Sequence, residues 1–229
     1  MRKLSLQDGA ETFDVTVIEA NAPSRIVLFA VGGGGDPERH LPLLTCFAAC
    51  GCAVVAPHFE RFTSPRATES QFLLRARRLT LALESVGLPD LVTVGVGHSI
   101  GAAMLLALAG GLAWMGPGQC LSITPGERIK RLALLAPATA FFQAPQALDR
   151  VTTPILAFAG MKDTITPPAQ AEFLKHALGS HSPIDVRIIE DAGHFSFMNK
   201  PPPATEESLP NREAFLVGLT AELCRFVTC

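Results

Sequence analysis

The sequence has no cluster of basic residues, no long apolar run and no polar excess, and each absence removes a class of protein. Its 19 Lys and Arg against 21 Asp and Glu give a formal net charge of -2, with the cations scattered along the chain. The electrostatic footprint needed by a nucleic acid or an anionic membrane surface is therefore missing. Charged residues make up 17% and hydrophobic residues 48%, so the composition is not that of a disordered segment and a core can be buried. The longest apolar run, Ile100 to Met115, is interrupted by three glycines. It falls short of the roughly 20 residues of a membrane span. The N-terminal MRKLSLQDGAETFD turns polar before any apolar core begins, which speaks against a secretory signal. A soluble cytoplasmic protein whose partner is a small molecule is the expectation, with the oligomeric state left open.

Paired cysteines are lacking as well. Of six cysteines, Cys46, Cys50 and Cys52 lie close together, but within the apolar segment CFAACGCAVVAP and without the second spaced pair of a zinc framework. Free, buried thiols are expected, and no metal. Internal repeats and low-complexity linkers are absent too. At 229 residues the chain fits one domain, 1–229, because a single core grows to roughly 250 residues before chains split.

What is present is an alternation of periods. Phe13 to Glu19 and Arg25 to Val31, separated by the turn-forming NAPS, read as an antiparallel hairpin whose second strand is buried on both faces. Short β-branched runs then recur at 52–59, 91–98, 131–138, 154–160 and 184–190, with helical patterns at 68–86, 100–112, 167–178 and 211–226. Strands separated by helix-length crossovers predict a mostly parallel sheet covered on both faces, an α/β fold. Residues 111–128 and 137–150 are broken by Gly and Pro and read as loops or short helices near the sheet's C-terminal edge. Residues 200–213 read as an extended surface connection, with Asn211 a candidate N-cap.

At the junction of the 91–98 strand and the next helix stands GHSIG. A serine hydroxyl becomes a nucleophile only when a base removes its proton and the backbone holds it clear of its neighbours. A sharp strand-to-helix turn holds it so, and a Cβ two residues before or after Ser99 would clash there, which Gly97 and Gly101 avoid. The turn also leaves the N–H of Ile100 free at a helix start, aimed where an oxyanion would develop. Gly-x-Ser-x-Gly alone is a weak signal; its place between strand and helix gives it weight.

A serine nucleophile calls for a base and an acid on loops at the same sheet edge. His194 follows the strand-like IDVRIIE through the connection DAG, whereas His176 and His181 read as surface residues at a helix end. Asp163 follows PILAFAG in the loop MKDTITPP, with Pro167 marking the next helix; its rival Asp191, three residues before His194, has less room to reach the far ring nitrogen. An additional oxyanion donor is expected from VGGGGD at 31–36, whose glycines allow a close backbone approach. A Walker phosphate loop would need Lys and Ser or Thr after the last glycine, and Asp36 and Pro37 stand there instead.

Together these residues resemble the α/β-hydrolase superfamily over almost the whole chain. VGGGGDPERHLPL resembles its oxyanion loop, GHSIG its nucleophile elbow, GMKDTITPP its acid loop and DAGHFSF its histidine loop, in the family's order. The short chain is most similar to the dienelactone-hydrolase-like and small carboxylesterase branches. The resemblance implies the α/β-hydrolase fold, a mostly parallel twisted sheet with helices on both faces and no large cap domain, and a second oxyanion donor at Gly33. Val31-Gly32 departs from the His-Gly that often opens the oxyanion loop, and Ser99 departs from the cysteine nucleophile of dienelactone hydrolases proper.

The expected chemistry is hydrolysis of a small ester by a Ser-His-Asp triad, without metal or organic cofactor. Thioesterase, peptidase or C–C bond hydrolase chemistry would use the same triad, and a non-catalytic ligand-binding protein could use the same scaffold. Trp114, Phe141, Phe142, Phe195 and Phe197 lie on segments expected near the site and are candidate substrate contacts. Arg61 and Arg66 are candidates for holding an acidic substrate. Without a large cap, a short acyl group or a shallow site is expected.

Overall fold

The computed structural model of the chain describes every residue except Pro65, Glu127 and Glu207. In chain order its elements are β1 (Arg2–Asp8), β2 (Glu11–Ile18), β3 (Arg25–Ala30), α1 (Leu41–Ala49), β4 (Cys52–Pro57), α2 (Glu69–Ser85), β5 (Val92–His98) and α3 (Ile100–Leu108). There follow β6 (Trp114–Gly116), β7 (Gln119–Cys120), β8 (Ile129–Leu135), β9 (Ile155–Gly160), α4 (Ala169–Leu178), β10 (Ile184–Ile189) and α5 (Arg212–Thr228). The described residues form an eight-stranded sheet in the order β1-β2-β4-β3-β5-β8-β9-β10, and β6 and β7 form a separate hairpin. From β4 to β10 the strands are parallel. β2 and β1 close one side in antiparallel pairing.

β3 shows why a parallel strand reads as continuously apolar. Ile26, Leu28 and Ala30 face a layer containing Phe72 and Leu79 of α2, Met104 of α3 and Leu174 of α4. Val27, Phe29 and Val31 face the opposite layer, with Leu44 and Phe47 of α1 and Leu223 and Val227 of α5. Side chains of both parities are buried because helices cover both faces. Full burial of one such side chain contributes about 1.5–3 kcal/mol relative to exposure. α2 begins where a capping box stops further extension of the chain: the Thr68 hydroxyl accepts from Gln71 N–H at 3.2 Å and Gln71 Oε1 accepts from Thr68 N–H at 2.9 Å.

Several details differ from the sequence reading. β2 and β3 do not form a hairpin, because β4 lies between them and pairs with both; the hairpin is β1 with β2, whose Leu4 sits opposite Val15. A seven-residue strand with alternating exposure carries few apolar residues, so β1 resembles a polar leader in sequence. The 111–128 segment contains the β6–β7 hairpin rather than only loop. Asn211 precedes α5 but does not cap it: its φ of 50° is left-handed and its side chain makes no cap bond, whereas a capping residue needs an extended backbone to return its side chain to the first turn. The thiols are free but mostly not buried. Only Cys52, inward on β4, is buried; Cys224 is half-buried and Cys46, Cys50, Cys120 and Cys229 are exposed. Among the described residues no helix is long and apolar enough to cross a membrane.

Candidate active site

Because β3, β5, β9 and β10 are parallel, the loops after them emerge at one edge of the sheet. Ser99, between β5 and α3, has φ 57° and ψ −123°, a conformation that costs a non-glycine residue about 1–3 kcal/mol. Its surroundings hold it there. Ser99 N–H donates to Leu135 O at 2.9 Å, and Ser99 O accepts from Ala102 N–H at 3.0 Å and Ala138 N–H at 3.2 Å. The flanking glycines are sterically required. A Cβ on Gly97 would stand 2.8 Å from Ala102 N, and one on Gly101 would stand 2.0 Å from Ala30 O.

Ser99 Oγ lies 3.0 Å from His194 Nε2, and His194 Nδ1 lies 2.8 Å from Asp163 Oδ2. The side chains of Asp163 and His194 are 0% and 6% exposed, so this contact is shielded from water. Asp163 Oδ1 accepts the N–H groups of Ile165 and Thr166, each at 2.8 Å, and Oδ2 accepts the Thr166 hydroxyl at 2.8 Å. Burial by itself raises the pKa of Asp163, but the His194 and Thr166 donors outweigh it and hold the carboxyl below its ordinary value. An ionised Asp163 leaves the proton on His194 Nδ1, so Nε2 offers its lone pair to the Ser99 hydroxyl. Asp191, the rival acid, instead pairs at the surface with Lys162 at 2.8 Å.

Thr166 is missing from the sequence reading. Its Oγ1 lies within reach of three site atoms: Asp163 Oδ2, His194 Nδ1 at 3.0 Å and Ala136 O at 3.1 Å. The signal was available, since an Asp followed three residues later by Thr is a local hydrogen-bonding pattern. His98, the second residue of GHSIG, was overlooked too. It is buried, and its Nε2–H donates to the backbone carbonyl of His194 at 3.0 Å.

His98 continues a ring series: Phe29 to His40 at 4.8 Å, His40 to His98 at 5.5 Å, His98 to His194 at 4.9 Å between centroids. Burial, with Arg39 nearby, pushes the His40 pKa down to about 3. Burial, then His194 and His40, takes His98 well below 6.5 despite its carbonyl partner. Both fold as neutral rings, while in the unfolded chain each takes up a proton below about pH 6.5. Their stabilisation is therefore complete above that pH and is lost as pH falls toward the folded-state values, with a slope of about 1.4 kcal/mol per pH unit per histidine. Urea unfolding between pH 6 and 4.5 is expected to show this decline, and His40→Leu to make it shallower by up to about 1.4 kcal/mol per pH unit. An unchanged slope in the variant would contradict the assignment.

Gly33, Ile100, Ser99 and His194 line one cavity of about 900 Å³. Trp114, Phe141 and Phe195 line it as well, as do Arg61 and Arg66. Phe142 does not: it is fully buried in the core layer with α3. Phe141 and Phe142 sit in a 3₁₀ turn, Ala140–Phe142, where successive side chains diverge by about 120°, so one phenyl faces the cavity and the other the core. Phe197 is likewise buried, packed on Phe215 at 5.8 Å. The volume lies near the upper end of the roughly 300–1,000 Å³ of ligand sites, room for more than a short acyl group although no large cap covers it. Phe62, the β6–β7 hairpin, Phe141, Met198 and Pro202 wall it.

No family model matches the sequence, and no match was found among curated proteins. Solved structures do match. An alpha-beta serine hydrolase homologue from Coxiella burnetii superposes with a TM-score of 0.64 at 16% identity, covering 99% of this chain and 97% of its own. A protein of unknown function from Agrobacterium tumefaciens gives 0.70 at 14% identity, covering 99% and 97%. The carboxylesterase Cest-2923 from Lactobacillus plantarum gives 0.66 at 13% identity, covering 98% and 96%. The protein has the α/β-hydrolase fold.

Proposed function

We propose that the chain is a serine hydrolase that cleaves a small ester through an acyl-enzyme. The observation that carries this reading is the unbroken hydrogen-bonded series Ser99–His194–Asp163 opening into a cavity large enough for a substrate. In this reading Ser99 Oγ attacks the carbonyl carbon as His194 Nε2 takes its proton, and Asp163 stabilises the imidazolium. The N–H groups of Gly33 and Ile100 bind the oxyanion. Collapse of the tetrahedral intermediate expels the alcohol, which receives the proton from His194. Water, deprotonated by His194, then attacks the acyl carbon; the second tetrahedral intermediate collapses, the acyl–Oγ bond breaks, Ser99 Oγ takes the proton back from His194 and the acid is released. No metal or organic cofactor enters this scheme.

The carboxylesterase of the same fold supports the ester reading, and the serine hydrolase homologue supports the serine chemistry; the cavity wall mixes apolar side chains such as Phe62, Trp114 and Phe141 with polar ones. A fluorophosphonate probe is expected to label the wild-type chain at Ser99. Turnover of p-nitrophenyl esters is expected to exceed that of acyl thioesters and peptide anilides; because Arg61 and Arg66 line the cavity, the panel includes an ester bearing a free carboxylate. Absence of labelling would favour a binding protein, and faster turnover of thioester or anilide would replace the ester reading.

A further inference from the structure

Arg75 lies on α2, remote in sequence from every motif above. It occupies the buried stripe Phe72, Arg75, Leu79, Ala82, where an apolar residue is the ordinary occupant. Burial lowers its pKa to about 10, so it stays a cation at neutral pH. Among the described residues no carboxylate pairs with it. Nη1 donates to Gly32 O at 2.9 Å, and Nη2 to Gly33 O at 3.4 Å and to Glu60 O. Its guanidinium carbon lies 3.8 Å from the Phe62 ring centroid and 4.8 Å from that of Phe59. For stability alone a buried cation without a counter-ion is a poor choice beside methionine or leucine. Its partners point to another role.

The carbonyl of Gly32 and the N–H of Gly33 are the two ends of one rigid peptide unit. A cation bound to the oxygen end fixes the plane of that unit and draws electron density from the N–H end, making it a stronger donor. Neighbouring bonds tie the same loop down: Gly35 N–H donates to Gly32 O at 3.1 Å, and Phe62 N–H donates to Gly33 O at 2.9 Å. Gly35 itself has φ 78°, and a Cβ there would stand 2.0 Å from Phe59 O. Val31 has no polar side chain with which to brace the loop, and Arg75 braces it from beneath. We infer that Arg75 is the positioning residue of the oxyanion loop, holding and polarising the Gly32–Gly33 peptide so that Gly33 N–H meets the charge developing on a carbonyl attacked by Ser99. The inference rests on the serine-hydrolase reading above.

Arg75→Lys keeps a charge but loses the fork, and Arg75→Gln keeps one donor without the charge. Activity is measured per site titrated to completion with the fluorophosphonate, so that any misfolded fraction drops out. Since deleting an oxyanion donor costs about 10²–10³-fold in kcat, weakening one is expected to lower kcat about 10- to 100-fold, with KM within about twofold. The inhibition constant of a trifluoromethyl ketone, which forms the tetrahedral oxyanion, should rise by the same factor, while affinity for the product carboxylic acid stays level. Wild-type kcat per titrated site in both variants overturns the inference and leaves the serine reading intact. Equal losses for the ketone and the product acid overturn it too, as does failure of both variants to fold, since Arg75 would then serve stability alone. A wild-type chain that the probe does not label removes the serine reading and this inference together.

Discussion

Ser99→Ala is expected to lower kcat for a p-nitrophenyl ester by about 10⁵- to 10⁶-fold and to abolish fluorophosphonate labelling, with the unfolding midpoint nearly unchanged. The size follows from the proposed mechanism, in which the triad works as a unit: without the Ser99 hydroxyl, His194 and Asp163 would have no proton to move, and only binding and oxyanion stabilisation would remain. Stability is spared because what holds the turn is backbone. The bonds from Ser99 N–H to Leu135 O and from Ala102 and Ala138 to Ser99 O do not involve the hydroxyl. Alanine must adopt the same φ of 57° that serine already tolerates. The hydroxyl's own hydrogen bond to His194 is worth about 0.5–1.5 kcal/mol net. Activity measured beside urea unfolding separates the cases. Turnover within tenfold of wild type would remove Ser99 from the mechanism, and a variant that loses both fold and activity would leave its role as nucleophile unsupported.

Gly101→Ala is expected to do the opposite, destroying the fold itself. On helix propensity alone the change is favourable by about 1 kcal/mol. Position reverses the sign. The new Cβ would stand 2.0 Å from the carbonyl oxygen of Ala30, 2.5 Å from its carbon and 2.8 Å from Val31 O. These are backbone atoms at the end of β3, a strand paired on both sides by β4 and β5. Neither α3 nor β3 can move without breaking sheet or core contacts, so a loss above about 4 kcal/mol is expected, in the range reserved for severe core disruption. Gly218→Ala in α5 is the control. A Cβ there meets nothing within 4 Å, so helix propensity acts alone and should add about 0.5–1 kcal/mol. Thermal or urea unfolding of the two variants decides between these effects, and a Gly101→Ala chain as stable as wild type would refute the steric account of the elbow.

The hydrophobic period by itself determined much of the architecture. β3, β5 and β9 are buried on both faces, and strands so buried must be written as apolar runs whatever their neighbours are. GHSIG declared its turn through its glycine spacing: the need for glycine at 97 is local, set by Ala102 and Leu105 of α3, while at 101 it is set by the distant end of β3 on which the turn packs. His194 and Asp163 were legible because each follows a strand, and parallel strands deliver their following loops to one edge.

The tertiary structure decided what period and spacing leave degenerate. An apolar run specifies burial but not its neighbour, and so β4 rather than β2 pairs with β3. Phe141 and Phe142 are the same residue type side by side, and only the 3₁₀ turn sends one to the cavity and the other to the core. Arg75 carries no motif. Its meaning comes from carbonyl groups 42 and 43 residues earlier in the chain, brought under α2 by the crossover from β3 through β4. Sequence patterns record the demands of local geometry and solvent, whereas a hydrogen bond between distant segments leaves no periodic trace, and it is such bonds that hold the glycine loop after β3.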